Sequence, residues 1–200
     1  MPATLIGRNG TTATTSTNGL PVTLYRPDGG EYDQTFLAEF YAAQNIPQFT
    51  AALAANAGLF AIRNGTTRRV KLSLVELSLA FAGTAAASTM QISIRRFTTA
   101  TPTAGTALTI VQEDTANATA TSVIDARCAT AAAALTTTGL VIGAPIFVAC
   151  CPRSVTGAVF NYEMSRDMVL NVNEGLIVQY DTVGVIGDAL SVTTYWGEMV

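Results

Sequence analysis

The sequence predicts an all-β protein, namely a jelly-roll-like antiparallel β-sandwich with an extended N-terminal arm and at most one short helix. After Ala57, short apolar runs alternate with Gly, Asn, Pro and Thr residues that favour turns. No helical period separates these runs, so βαβ units are not expected. A length of 200 residues with 49% hydrophobic content is enough to close one core. We therefore expect an arm at residues 1–56 and a sandwich domain at residues 57–200.

The first 34 residues are rich in Thr, Gly, Asn and Pro, and within them residues 22–25 (VTLY) form one short run typical of a strand. Such a segment has too few apolar side chains for a core of its own. We expect an extended arm that becomes ordered where it lies against another surface. A flexible terminus is the alternative, because chain ends are often poorly ordered.

Residues 34–44 contain apolar side chains at helical spacing. Phe36, Phe40 and Tyr41 lie at positions that share one helical face, and Pro47 follows as a stop. The spacing predicts one short helix at 34–44, although aromatic residues also suit strands.

A long strand with a defect is predicted at residues 68–82. Apolar residues alternate through Leu72 and Leu74 and resume at Val75 and Leu77, so the phase slips by one between Leu74 and Val75. A slip of this kind indicates a β-bulge. We expect the bulge to bend the strand from one sheet toward the other.

The remaining apolar runs complete a set of about ten strands, separated by turn residues as in a sandwich or jelly roll. They lie at residues 58–64, 90–98, 107–112, 122–126, 135–142, 146–151, 158–164, 168–172, 176–180 and 190–196. In the last run Trp196 shares a face with Leu190, so we expect Trp196 in the core and not on a ligand platform.

The charge composition argues against nucleic acid as a partner. Only 12% of the residues are charged, where roughly 25% is usual, and the net charge is −3. The 11 basic residues form no patch. So weakly charged a surface suggests that much of it faces other subunits. The alternative is a compact domain with a neutral polar surface.

The sequence also indicates in which compartment the chain folds. No apolar stretch reaches the roughly 18 residues of a membrane span, and the first residues lack the features of a signal peptide. We therefore expect neither a membrane partner nor export. The three cysteines, Cys128, Cys150 and Cys151, cannot all pair, and neighbouring cysteines rarely bridge each other. Cys150 and Cys151 lie in the apolar run at 146–151, so both are predicted to be buried thiols. This pattern suits folding in a reducing cytoplasm.

The residues of common catalytic sites are missing or isolated. The sequence has no histidine, so neither a serine or cysteine triad nor a zinc site is expected. Candidate carboxylates for hydrolysis are Glu113 with Asp114, Glu163 with Asp167, and Glu76. Each is better explained as an exposed acid. Without a GxGxxG or GxxxxGK[ST] loop either, we expect no enzyme activity and no catalytic, cofactor-binding or metal-binding residues.

Five segments of the predicted sandwich have a distinctive composition. They are residues 58–65 (GLFAIRNG), 70–72 (VKL), 81–88 (FAGTAAAS), 96–108 (RFTTATPTAGTAL) and 173–176 (NEGL). With the surrounding residues 57–198 they resemble a family of tailed-bacteriophage virion structural proteins, the jelly-roll capsid decoration (cement) proteins. The resemblance implies a decoration role or a related minor virion role, and it implies no catalytic residues. It does not extend to residues 1–56.

The resemblance and the low charge lead us to expect a structural function. The chain would bind and stabilise a bacteriophage capsid from its exterior, after folding in the host bacterial cytoplasm. The expected partners are the major capsid protein and further copies of the chain, as a homo-oligomer for which we expect a trimer. Residues 1–34 are the segment expected to meet the capsid or a neighbouring subunit.

Two alternatives stay open. The first is a glycan-binding jelly-roll module of a phage fibre or tail tip, with a shallow site lined by exposed aromatic residues. The aromatic candidates are Tyr25, Tyr32, Tyr162, Tyr180, Tyr195 and Trp196. The second alternative is another minor structural protein of the phage head or tail.

Overall fold

The computed structural model describes residues 5–6, 12–13, 36–65, 68–84, 87–113, 121–154, 159–163 and 167–199. The chain divides into two compact units, Met1–Thr35 and Phe36–Val200. In the first unit, β1 (Leu5–Ile6) and β2 (Thr12–Ala13) pair in antiparallel orientation. The run at residues 22–25 lies outside the described residues.

The described part of the second unit consists of twelve strands. They are β3 (Phe36–Ile46), β4 (Gly58–Asn64), β5 (Val70–Phe81), β6 (Thr89–Thr98), β7 (Thr106–Ala107), β8 (Val111–Gln112), β9 (Ile124–Cys128), β10 (Val141–Pro152), β11 (Val159–Glu163), β12 (Met168–Leu170), β13 (Glu174–Tyr180) and β14 (Asp188–Met199). Sheet A has the order β11-β5-β14-β3-β8, with β12 also paired to β5, and sheet B has the order β10-β6-β13-β4-β9-β7. Every paired strand is antiparallel to its neighbour. The predicted antiparallel β-sandwich is confirmed.

The strand order follows from nested pairing along the chain. β3 pairs with β14, β4 with β13, β5 with β11, and β6 with β10. The pairs β14 with β5 and β13 with β6 then join these ladders into two sheets. A jelly roll requires nesting of this kind, since it is a long antiparallel ladder wound into two sheets. The jelly-roll topology stays a prediction, which the nesting favours.

The helix predicted at residues 34–44 is wrong, because β3 occupies this segment and pairs with β14 along its length. Phe40 and Ala42 are 2% and 1% exposed, whereas Tyr41 between them is half-buried on the opposite face. This is the alternation of a strand. Alanine suits either face of a sheet, so the alanines of this segment conceal the alternation in the sequence. The sandwich therefore begins at β3, earlier than predicted.

The bulge predicted in the long strand β5 is confirmed by its register with β14. Trp196 faces Leu72 and Tyr195 faces Leu74, so Ser73 is the extra residue. The bulge lies slightly earlier in the chain than predicted. β5 remains in sheet A on both sides of it, so the predicted bend toward the other sheet is wrong.

The core lies between the two sheets and combines their inward-facing side chains. Trp196 is 1% exposed, and its ring stacks on Phe40 with the centroids 6.0 Å apart. The predicted place of Trp196 in the core is confirmed. Tyr180, another of the aromatic glycan-binding candidates, is also buried. Tyr25 and Tyr32 lie outside the described residues.

A buried ion pair joins the ends of three strands. Arg153, just after β10, donates to Asp188 at the start of β14 through Nε at 2.8 Å and Nη2 at 2.6 Å. The hydroxyl of Tyr180, at the end of β13, donates to Oδ2 of Asp188 at 2.9 Å. Burial, and then the Asp188 carboxylate, raise the pKa of Tyr180, which keeps its phenol a donor. Because each of these groups has a buried partner, the network fixes the strand ends.

The two outer faces of the sandwich differ in what covers them. On sheet B, the outward residues Ala61, Phe97 and Ile177 form a second apolar cluster with Leu135, which follows β9 in the chain. The segment between β9 and β10 therefore covers part of sheet B. On the outer face of sheet A, polar residues surround Glu76 and Ser78, and the next row contains the exposed Val159. The residues around Glu76 and Ser78 are exposed or half-buried.

Candidate functional site

A groove of about 410 Å³ lies on the outer face of sheet A, where β11, β5 and β14 run side by side. Alternate residues of a strand point to the same face, and the registers align the outward residues of these strands in two rows. The first row is Glu163, Glu76 and Thr193, and the second row is Asn161, Ser78 and Ser191. We call these six residues the polar grid. It combines carboxylates, an amide and hydroxyl groups on one surface.

Two carboxylates of the polar grid face each other. Glu76 and Glu163 are directly opposite in the β5–β11 pair, and both are exposed. Among the described residues, neither carboxylate has an ion pair or a hydrogen bond. Lys71, also on β5, is instead bound to Asp167, with 2.7 Å between Nζ and Oδ2. Like charges opposite each other destabilise a strand pair, so this arrangement contributes nothing to the fold.

The structure pairs different acids from those that the sequence suggests. Glu163 faces Glu76, while Asp167 binds Lys71. Glu113 is exposed just after β8, and Asp114 lies outside the described residues. Hydrolysis by two carboxylates needs environments that make one an acid and the other a base. Glu76 and Glu163 share one exposed environment, so hydrogen bonding is the chemistry that the groove offers.

One tyrosine borders the groove on the outer face of sheet A. Tyr195 follows Thr193 on the outer face of β14, and its ring lies 5.9 Å from that of Tyr41. Tyr162, between Asn161 and Glu163 on β11, points to the opposite face, where it stacks on Phe147 of β10 with the ring centroids 3.8 Å apart. Both Tyr162 and Tyr195 are half-buried. Tyr195 is therefore the aromatic glycan-binding candidate that the described structure leaves on the same face as the polar grid.

The sequence analysis missed four members of the polar grid, namely Ser78, Asn161, Ser191 and Thr193. A signal for three of them was available. Ser78, Ser191 and Thr193 alternate with buried aliphatic residues along their strands, which places them on an outer face. Alternation does not reveal that β11 lies beside β5, so Asn161 and the facing pair of glutamates had no signal in the sequence.

The strand β10 forms an apolar edge of sheet B. In the described part of the chain it pairs with β6 alone. Val141, Ile146 and Val148 are 63%, 47% and 50% exposed on this strand. Two register shifts flank Pro145, and bulges and proline hinder the addition of another strand. The edge therefore offers apolar side chains more than open backbone.

The cysteines face in different directions. Cys151 is buried, as predicted, but Cys150 is exposed, so its predicted burial is wrong. Cys128 is also buried. Neighbouring residues of a strand point to opposite faces, and β10 contains both Cys150 and Cys151. Burial raises the pKa of Cys128 to about 12, which keeps that thiol protonated. No group of three or more potential metal ligands occurs among the described residues.

Two further findings bear on function. Within the part of the chain that the structure describes, no helix is long and apolar enough to cross a membrane. No protein-family model, no curated protein and no solved structure matches the chain.

Proposed function

We propose that the chain is a structural virion protein that binds and stabilises a bacteriophage capsid as a decoration protein. The observation that supports this most directly is the apolar edge at β10. Single exposed apolar residues are ordinary on protein surfaces. Val141, Ile146 and Val148, however, lie on one strand and are each about half exposed or more, and grouped apolar exposure favours contact with another protein.

The charge composition supports a protein partner as well. With 12% charged residues and a net charge of −3, the surface is poorly suited to nucleic acid. The resemblance of residues 57–198 to decoration proteins supports the virion as the place of action. The proposed partners are the major capsid protein and further copies of the chain in a trimer on the capsid exterior, after folding in the bacterial cytoplasm.

The proposed mechanism is stabilisation by mass action. A protein that binds only the assembled shell lowers the free energy of the shell by its own binding free energy. Several linked copies bind more tightly than one, because each further contact becomes intramolecular. Met1–Thr35 is a compact unit separate from the sandwich, and we assign it a share of the contact with the capsid or with a neighbouring copy.

The test is to mix the purified full chain with empty, undecorated shells of the phage that encodes it, and to count the bound copies per capsomer. We expect saturable binding with a stoichiometry that identifies the occupied symmetry axis. Val148→Lys on the β10 edge should weaken binding at least about tenfold. Val183→Lys is the matched control, since Val183 is 58% exposed between β13 and β14, and it should bind normally.

Deletion of residues 1–34 tests the arm in the same assay. The truncated chain should stay folded, because Phe36–Val200 is a compact unit of its own, and it should no longer bind the shell. Circular dichroism checks the fold. Unchanged binding by the truncated chain would exclude the arm as the contact, and a full chain that binds no shell would overturn the proposed function.

A further inference from the structure

The polar grid has the dimensions of a small-molecule site. Neighbouring strands lie about 4.8 Å apart, and residues on one face of a strand are spaced by about 6.8 Å. Two rows across three strands therefore cover roughly 10 Å by 7 Å. With the groove volume of about 410 Å³, this surface fits one or two sugar rings. A flat protein partner would cover the whole sheet face and would not need a groove.

The chemistry of the polar grid matches a ligand with many hydroxyl groups. Hydroxyl and amide side chains both donate and accept hydrogen bonds, as on Ser78, Ser191, Thr193 and Asn161, whereas carboxylates only accept. Sugar hydroxyls can donate hydrogen bonds to the carboxylates. They can also both donate to and accept from the hydroxyl and amide side chains of the polar grid. None of the described residues that line the groove is basic, so an anionic ligand would be repelled by Glu76 and Glu163. The groove therefore favours a neutral polyhydroxylated ligand.

The surroundings of the polar grid support the same ligand. Tyr195 and Tyr41 lie beside the first row on the same face of sheet A. Tyrosine presents an apolar ring together with a hydroxyl group, which suits the apolar ring face and the hydroxyl rim of a sugar.

The facing glutamates destabilise the folded chain by their repulsion, and a bound ligand that donates hydrogen bonds to them would offset this. Glu76 and Glu163 repel each other, and no described residue neutralises either carboxylate. Groups that weaken a fold often serve binding. A sugar hydroxyl that donates to each carboxylate supplies the partner that the described residues do not.

We propose that the polar grid binds a neutral glycan, with Glu76 and Glu163 as hydrogen-bond acceptors and the amide and hydroxyl side chains of the second row orienting the sugar. The site lies on sheet A, whereas the proposed capsid contact lies on the β10 edge of sheet B. Substitutions of the outward residues of each sheet therefore test glycan binding and capsid binding separately.

The test uses the full chain on a printed array of neutral, sialylated and sulfated glycans, with a metal chelator and again with calcium. The best neutral glycan is then titrated as a soluble oligosaccharide by calorimetry. We expect binding to neutral glycans in chelator and no binding to the anionic ones. The double variant Glu76→Gln with Glu163→Gln should lose affinity at least tenfold. Glu39→Gln, at an exposed acid of β3 outside the groove, is the control for the loss of a surface carboxylate and should bind normally.

Three results would overturn the proposal: no neutral glycan bound by the full chain, equal affinity in the double variant, or binding that depends wholly on calcium. Thermal melting shows that each variant is folded, and a second double variant, Ser78→Ala with Ser191→Ala, should also lose affinity. The Glu76 and Glu163 variants should bind shells normally. Failure of the glycan site and failure of the decoration function therefore give different results.

Discussion

In both sheets alternate residues point away from the core, but several outward residues of sheet B are apolar and covered, whereas those of the polar grid on sheet A are exposed or half-buried. On sheet B, Phe97 and Ile177 point outward and are covered by Leu135, so this face acts as a second small core. On sheet A, the outward positions hold the polar grid, and no described connection covers them. Both sheets share one core, so the difference lies in the connecting chain. A face that a connection covers stabilises the fold, and a face left open is available for binding.

The charged residues of the two faces also differ in whether they have a partner of opposite charge. On sheet B, Arg95 is paired with Asp181 at 3.1 Å and Arg127 with Asp125 at 3.2 Å. On sheet A, Glu76 and its opposite neighbour carry like charges without a described partner. Exposed pairs contribute little to stability. Sheet A also has one such pair, Lys71 with Asp167, but Glu76 and Glu163 oppose the fold, and no like-charge pair of this kind faces outward among the described strand pairs of sheet B.

The largest difference between the faces is expected in the loss of stability when an outward side chain is truncated, and Phe97 on sheet B should show the larger loss. Phe97 is 1% exposed within the outer cluster of sheet B, and Phe→Ala at buried sites costs about 3–5 kcal/mol. We expect Phe97→Ala to lower the free energy of unfolding by about 3 kcal/mol in urea titrations. Thr193→Ala, at an outward position of sheet A, should cost less than about 1 kcal/mol. Equal losses would mean that the segment before β10 does not act as a cover.

A smaller effect is expected at Gly175, which lies beneath Phe97 on sheet B. A Cβ atom at this position would meet the Phe97 ring and would lie 2.6 Å from the carbonyl oxygen of Ile62. Gly175→Ala should therefore cost about 1–3 kcal/mol through overpacking. Gly143→Ala in β10 is the control, because its Cβ would find its nearest neighbour at 3.5 Å. A tolerated Gly175→Ala in thermal melts would contradict the close packing of this face.

Strand alternation made much of the fold predictable. The slip in β5 revealed the bulge at Ser73, because β5 has bulky aliphatic residues on one face. The run at 58–64 coincides with β4, which is buried on both faces and was recognised as a continuous apolar run. The pattern failed where alanine replaced bulky residues, as in β3, and where two cysteines stood side by side in β10. The polar grid depends on the pairing of β11 with β5, strands far apart in the chain. Such pairing is a property of the whole sandwich and leaves no local signal.

The smallest expected effect has the opposite sign and lies on sheet A. Glu76→Gln removes one of two like charges that face each other, so it should raise the free energy of unfolding by about 0.2–1 kcal/mol. Glu163→Gln should give a similar gain, and the two gains should not add, since either change removes the same repulsion. In about 1 M salt, where the Debye length is about 3 Å, both gains should shrink.

Together the two single variants and the double variant form a double-mutant cycle. Urea titrations of all of them, at low and at high salt, measure the free energy of unfolding for this cycle. Additive gains would mean that each carboxylate is destabilised by something other than the opposite one. A loss of stability in either single variant would mean that the carboxylate has a favourable partner. The like-charge pair would then cease to distinguish sheet A from sheet B, and there would be no cost to folding for a ligand to offset.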